Sequence, residues 1–338
     1  MPTDLLPITP SEDFWSRQAN AQKFSFEFAP FGVPTEITAN DPAALTAAQL
    51  SSRRFSRIVE PSGQAIRIQI VVCDGKPTPL PDDLPERLMY SGVGDWITVS
   101  AGERGHGFAN LQTRQAFIFL SPTLAADARL VSRYFIDHYI LNFLFTEWAM
   151  LHASCVLDPT GRRVIMLTGA HNSGKSTTAL RLARAGYPFL SDGMVLMRLR
   201  NARLVVGGYP VGEVKLRNDV LSLFPEYRGE TVQVREHQKT VVDLRAVHPD
   251  RLAESLVVPS AVQLCVVERG MHPATDAMQV SASAIVDDVA ASTVYWNYPS
   301  QLEHNTAALH HLLRHATLYR LRLSDNPAEI VATMDNLI

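Results

Sequence analysis

The stretch TGAHNSGKST, residues 168–177, constrains this chain more than any other. An apolar run, VIMLT, leads into it, and STTALRLARAG, closed by Gly186, leads out. Gly169-x-x-x-x-Gly174-Lys175-Ser176 is the phosphate-loop signature, and a strand before with a helix after is the context it requires. The physical basis is the main chain. The two glycines let successive N–H groups aim at one anion, and the helix that starts there adds the partial positive charge of its N-terminus. The nucleotide-binding candidates are therefore Gly169, Ala170, His171, Asn172, Ser173, Gly174, Lys175, Ser176 and Thr177. Lys175 is placed to bridge the β- and γ-phosphates of a nucleoside triphosphate, and the Ser176 hydroxyl to bind Mg²⁺. ATP is the expected nucleotide, with GTP open.

Composition excludes several other classes. The chain has 338 residues, enough for two modest domains, with 46% apolar and 19% charged side chains. A net charge of -3 sets up no global field toward nucleic acid or an acidic membrane, so neither is an expected partner. Three widely spaced cysteines, Cys73, Cys155 and Cys265, do not make a disulfide framework or a zinc site. Each sits in an apolar context and reads as a core thiol in a reducing, cytoplasmic setting. The N-terminal MPTDLLPITPSEDFW has acids and prolines where a signal peptide needs basic residues and an apolar core. The most lipid-like run, residues 129–150, is broken by Arg133, Asp137, His138, Asn142 and Glu147, and reads as a buried helix.

Along the chain, residues 22–122 alternate in short runs such as KFSFEFAPFG and QAIRIQIVVCDG, the pattern of half-buried strands. The expected organisation is a β-rich α+β N-terminal domain over 1–123, a connecting buried helix over 124–150, and an α/β domain over 151–338. In the last, a strand pair with a turn at Pro159-Thr160-Gly161 precedes the phosphate loop. A hairpin at Asn201-Ala202 follows it, then a loop-rich middle, a central strand in PSAVQLCVVERG, and a closing strand and helix. Asp325 or Asn326 would cap that helix, with Pro327 in its first turn.

Beyond the loop, the next acid matters most. Asp192 ends the apolar run YPFLS, seventeen residues after Lys175, which places a carboxylate at a strand tip. There it can hold Mg²⁺ or take a proton from an attacking hydroxyl, or simply begin the turn at Gly193. His152 opens the strand before the loop strand and is either a satisfied buried residue or a site member. Glu213 stands beside Lys215 and Arg217, as a solvated loop or as a metal ligand with two phosphate contacts. In VREHQKTVVDLR, Arg235, His237 and Lys239 could close over phosphates, could grip an acceptor, or could belong to an exposed loop. The aromatic patch VYWNYP, 294–299, is a strand end or a base or peptide contact.

The order of these elements resembles the catalytic core of the HPr kinase family, which has a phosphoenolpyruvate carboxykinase-like P-loop fold with a mixed sheet. His152, Gly169, Gly174, Lys175, Ser176 and Asp192 match in kind and order over LHASCV and GAHNSGKSTTALRLARAGYPFLSDGMVL. The resemblance covers about residues 150–335, its motifs only 150–217. It implies an ATP-dependent serine kinase in which Asp192 accepts the serine proton, His152 supports it, and Glu213 of Glu213-Val214-Lys215 helps hold the metal. The chain departs from the family at Gly193, where the family has a second aspartate, and lacks the glycine-rich signature further on. The resemblance therefore points away from reverse dephosphorylation and from HPr as substrate, and toward divergent relatives that phosphorylate a peptide. A homo-oligomer is possible. The competing readings are a non-catalytic nucleotide-binding regulatory module and a kinase of a small-molecule hydroxyl.

Overall fold

The computed structural model describes residues 23–57, 63–74, 79–234, 237–253, 257–270, 272–293 and 299–338. The N-terminal MPTDLLPITPSEDFW, Arg235 and most of the aromatic patch at 294–299 lie outside them. Two compact units are present: Met1–Arg53 with Ile58–Thr146, and Arg54–Arg57 with Glu147–Ile338.

The first unit carries a seven-stranded sheet. Its strands are β1 (Phe24–Phe28), β2 (Thr35–Ala39), β3 (Ile66–Val72), β4 (Met89–Val93), β5 (Trp96–Ser100), β6 (Gly105–Asn110) and β7 (Gln115–Leu120). They lie in the order β1-β2-β3-β7-β6-β5-β4. In β3, Ile66, Ile68 and Ile70 are buried while Arg67 is exposed, the alternation that a half-buried strand requires. Helix α1 (Ala43–Ser52) buries Ala44, Ala47, Ala48 and Ser51, a stripe at helical spacing made of small residues. Ser51 donates a 2.5 Å hydrogen bond to the buried Asp137 at the start of helix α2 (Asp137–Phe145), which explains an acid inside the apolar run. The helix expected over 124–150 is segmented and shorter. It stops at Phe145, and Ala149–Leu151 is already a strand. No described helix is long and apolar enough to cross a membrane.

The second unit is a mixed α/β fold. Its strands are β8 (Ala149–Leu151), β9 (Ser154–Leu157), β10 (Arg163–Thr168), β11 (Phe189–Arg200), β12 (Arg203–Val211), β13 (Glu213–Arg217), β14 (Gly229–Val234), β15 (His237–Asp243), β16 (Ala261–Arg269), β17 (Asp276–Gln279) and β18 (Thr317–Leu323). The main sheet runs β12-β11-β9-β10-β16-β18-β17, with β8 paired to β11. β10 is parallel to β16 and antiparallel to β9, so the strand feeding the phosphate loop has a neighbour on each edge. Both faces are covered. Ile165 and Leu167 pack on the side of helix α3 (Lys175–Arg184) and helix α4 (Pro327–Asp335), whereas Val164 and Met166 pack against Leu309 and Leu312 on the other side. Burial on both faces is why VIMLT reads as an unbroken apolar run instead of an alternating one.

The local turns follow their residue types. Asp158 accepts hydrogen bonds from the Arg162 and Arg163 N–H groups, closing the turn at Pro159-Thr160-Gly161. Asn201 and Ala202 both take positive φ, 50° and 60°, in the tight hairpin between β11 and β12. Asn326 caps α4 by accepting from the Ala328 N–H. The middle expected to be loop-rich instead folds as a three-stranded sheet, β13-β15-β14. Its strands mix charged and β-branched residues, a pattern that hides a strand in a polar sequence. Cys155 and Cys265 are buried, and desolvation pushes both thiols up, Cys265 to about 12. Cys73, expected in the core, is exposed just past the end of β3.

Candidate functional site

The phosphate loop has the conformation its sequence demands. Gly169 takes φ 130° and Gly174 φ 102°, both left-handed values, and Asn172 reaches φ 63°. Added bulk would collide at either glycine: a Cβ at Gly169 would lie 2.8 Å from the Val267 carbonyl oxygen, and one at Gly174 2.8 Å from Leu323 Cδ1. The loop is thus pressed between the ends of β16 and β18. Gly174 caps α3 without a side-chain hydrogen bond, so the first N–H groups of the helix have no side-chain partner at the cap. The Ser173 hydroxyl is buried and makes no hydrogen bond. A buried hydroxyl without a partner is costly, and one in this position fits an anion acceptor. Lys175 Nζ donates to the Gly169 and Ala170 carbonyls at 3.0 and 2.8 Å. Burial lowers its pKa first, the nearby Asp192 charge opposes that, and Lys239 adds to it. His171 and Asn172 are exposed at the loop's crest.

Asp192 is not at a strand tip. β11 continues past it to Arg200, through an irregularity between Ser191 and Met194 where Gly193 takes φ 122°. Such a bulge re-aims one side chain without ending the strand, and here the side chain is the carboxylate. Its Oδ1 accepts two hydrogen bonds, from Ser176 Oγ at 2.7 Å and from Ser154 Oγ at 2.5 Å. The first joins the carboxylate to the phosphate loop. The second comes from a residue that sequence reasoning missed. Ser154 lies directly opposite Asp192 in the β9–β11 ladder, so the two side chains share one face of the sheet. A signal existed: a lone hydroxyl at the head of an otherwise apolar strand, two residues after His152.

His152, expected to open the strand, joins this group from the two-residue connection between β8 and β9. Its carbonyl accepts from Thr168 Oγ1 at 3.2 Å, and its ring hydrogen-bonds to the Gly193 main chain. The residue is exposed, yet enough of the ring faces protein to be desolvated. Burial first, then the Lys175 charge, lowers its pKa, so the neutral ring is favoured. Lys239, on β15, lies close enough to influence both His152 and Lys175 electrostatically. His152 and Lys175 thus share the neighbourhood of one carboxylate, with Lys239 close to both nitrogens, an arrangement suited to a polyanion.

The remaining candidates are placed differently. Glu213 opens β13 opposite Asp243 and meets the buried Arg54 guanidinium at 3.8 Å. Lys215 is exposed on β13, and Arg217 pairs with Asp219 at 3.2 Å. Arg217 stands beside Lys239 in the ladder. Among the described residues no three His, Cys, Asp or Glu side chains converge on one point. The donors that fit a hard cation are therefore the Ser176 hydroxyl and the Asp192 carboxylate, both oxygen. They are two ligands of the kind Mg²⁺ takes from a protein while keeping waters and phosphate oxygens.

No family model matches the chain, and no curated protein does. Among solved structures the chain is similar to the Hpr(Ser) kinase/phosphatase from Coxiella burnetii, with 11% identity over 56% of this chain and 95% of that one and a TM-score of 0.27. A likeness of that size carries no weight, and the functional reading rests on the geometry around residues 152, 154, 169–177 and 192.

Proposed function

We propose that the chain is an ATP-dependent kinase that transfers the γ-phosphoryl group to a hydroxyl, most simply a serine of a peptide or protein. The observation that carries this reading is the convergence on Asp192 Oδ1 of hydroxyls from the phosphate-loop helix and from the neighbouring strand. A carboxylate tied to the loop serine stands where both the metal and the terminal phosphate of a loop-bound triphosphate would lie. Bound Mg²⁺ would supply charge neutralisation on the phosphate oxygens, held by Ser176 and Asp192. The chain's own groups do the rest. Main-chain N–H groups of 169–176 and Lys175, released from the Gly169 and Ala170 carbonyls, hold the β- and γ-phosphates. Asp192 orients the acceptor hydroxyl and takes its proton as the new O–P bond forms and the bond to the departing diphosphate breaks. Neutral His152, held on Gly193, borders the acceptor side.

The test is transfer of label from ATP to peptides or metabolites encoded beside this gene, with phosphoserine as the sought product. Asp192→Asn keeps the shape and removes the base, and is expected to cut transfer by about 10²–10⁴-fold. Turnover at the wild-type rate in that variant overturns the assignment. A second reading, a nucleotide-binding regulatory module without turnover, is favoured by Gly193, which leaves Asp192 as a single carboxylate at the bulge. Tight Mg-nucleotide binding with no product from any hydroxyl acceptor would select it.

A further inference from the structure

We propose that His311 and His315, at the end of the helix Pro299–His315, form a two-nitrogen chelate for a divalent transition cation such as Zn²⁺. The site stands apart from the nucleotide reading, because this helix covers the face of the main sheet opposite α3.

Asn305, Ala308, Leu309 and Leu312 are buried and fix which side of the helix meets the sheet. His311 and His315 run along the border of that side, the first half-buried and the second exposed. Four residues on a helix make about one turn, so two such side chains lie one above the other. The rings do so here, with centroids 4.3 Å apart and planes inclined by 38°. Two nitrogens each about 2.0–2.1 Å from one zinc ion stand at most about 4.2 Å apart. A small rotation of these surface side chains brings one nitrogen of each ring within that span. His310 is exposed as well, but it is turned about 100° around the helix from His311. It has no histidine three or four residues away.

The donor chemistry selects the ion. Imidazole nitrogen suits zinc, nickel and copper, whereas Mg²⁺ takes oxygen ligands. Among the described residues neither ring has a hydrogen-bond or ion-pair partner that a metal would have to displace. A ring must be neutral to bind, and burial first, then the His315 charge, hold the His311 pKa below its ordinary value. His315 also ends the helix, where the last carbonyls carry the partial negative charge that favours a cation. Water completes the coordination shell. Thr317 opens β18 two residues after His315, so the bound ion pins the turn from which that strand starts.

The experiment titrates Zn²⁺ into the full chain by calorimetry, with Mg²⁺ present and no nucleotide. Wild type and His310→Ala are expected to bind with Kd values within about twofold of each other, while His311→Ala and His315→Ala each raise the Kd at least about tenfold, as loss of one arm of a chelate does. Zn²⁺ should also raise the Tm of wild type and His310→Ala but not of the other two, since an ion held by the folded state stabilises it. His315→Gln, at an exposed position, should repeat the loss and guards against a misfolded variant. Equal Kd values throughout, or the same loss in His310→Ala, overturns the chelate. A wild type with no saturable Zn²⁺ site overturns it too.

Discussion

The central sheet and the small three-stranded sheet of the second unit treat their functional candidates in opposite ways. Around β9, β10 and β11, most of the polar candidates have a fixed partner: Ser176 and Ser154 on Asp192, Lys175 on two loop carbonyls, His152 on Gly193, with the buried Ser173 hydroxyl the exception. These strands are buried on both faces, so their side chains are held by packing from neighbouring strands and helices. On β13–β15, by contrast, Glu213 meets Arg54, Arg217 meets Asp219, and Lys215 is exposed. Among the described residues of these strands, Lys239 is the one close enough to act on the loop lysine electrostatically. On the proposed reading, the difference separates chemistry from capture: a preorganised centre in the main sheet, and a thinner layer whose contribution is charge.

Substitutions can break that division, and their expected effects descend in order. Lys175→Ala removes the only side-chain cation inside the loop and should reduce phosphoryl transfer by roughly 10²–10³-fold, read by single-turnover kinetics with labelled ATP. Ser154→Ala comes next. It removes a buried hydrogen bond to a carboxylate, a contact of about 1.5–3 kcal/mol, and should lower kcat about tenfold with KM little changed. Ser154→Thr, which restores a hydroxyl, should recover most of the loss. If Ser154→Ala instead raises KM alone, Ser154 does not orient the carboxylate. Lys239→Ala should show the reverse split, an approximately fivefold higher nucleotide KM or about 1 kcal/mol of binding, with kcat nearly unchanged and the effect shrinking as salt rises. A tenfold or larger loss of kcat in that variant would place the small sheet within the chemical centre and erase the distinction.

The smallest effect concerns pH. Burial and Lys175 hold the His152 pKa below its ordinary value, so below about pH 6.5 the unfolded chain binds more protons on this ring than the folded one. Stability linked to His152 is then complete above that pH and falls as pH drops toward the folded-state value. His152→Gln should flatten the pH dependence of Tm between about pH 5 and 6.5. An unchanged slope would mean that the ring titrates alike in both states.

What the sequence revealed follows the same division. The loop, its flanking strand and helix, the hairpin at Asn201-Ala202 and the Asn326 cap were legible because local chemistry decides each: glycine φ, an apolar run, a turn dipeptide, a capping amide. Asp192 was visible as a residue, but its place inside a bulged strand was not, since a Ser-Asp-Gly run reads as a strand end when the neighbouring strands are unknown. Ser154 shows in the sequence only as a hydroxyl in an apolar strand, and the register that sets it opposite Asp192 is what gives it a role. The sheet β13–β15 was hidden because charged residues alternate with valine and threonine there, and only pairing distinguishes such strands from loops.

A structure with Mg²⁺ and a non-hydrolysable ATP analogue tests the central claim most directly. The account predicts the β- and γ-phosphates on the main-chain N–H groups of 169–176, with Ser176 Oγ and Asp192 Oδ1 turned to the metal and Ser154 still donating to that carboxylate. Triphosphate bound elsewhere, or bound to the loop with Asp192 directed away from the terminal phosphate, would contradict it.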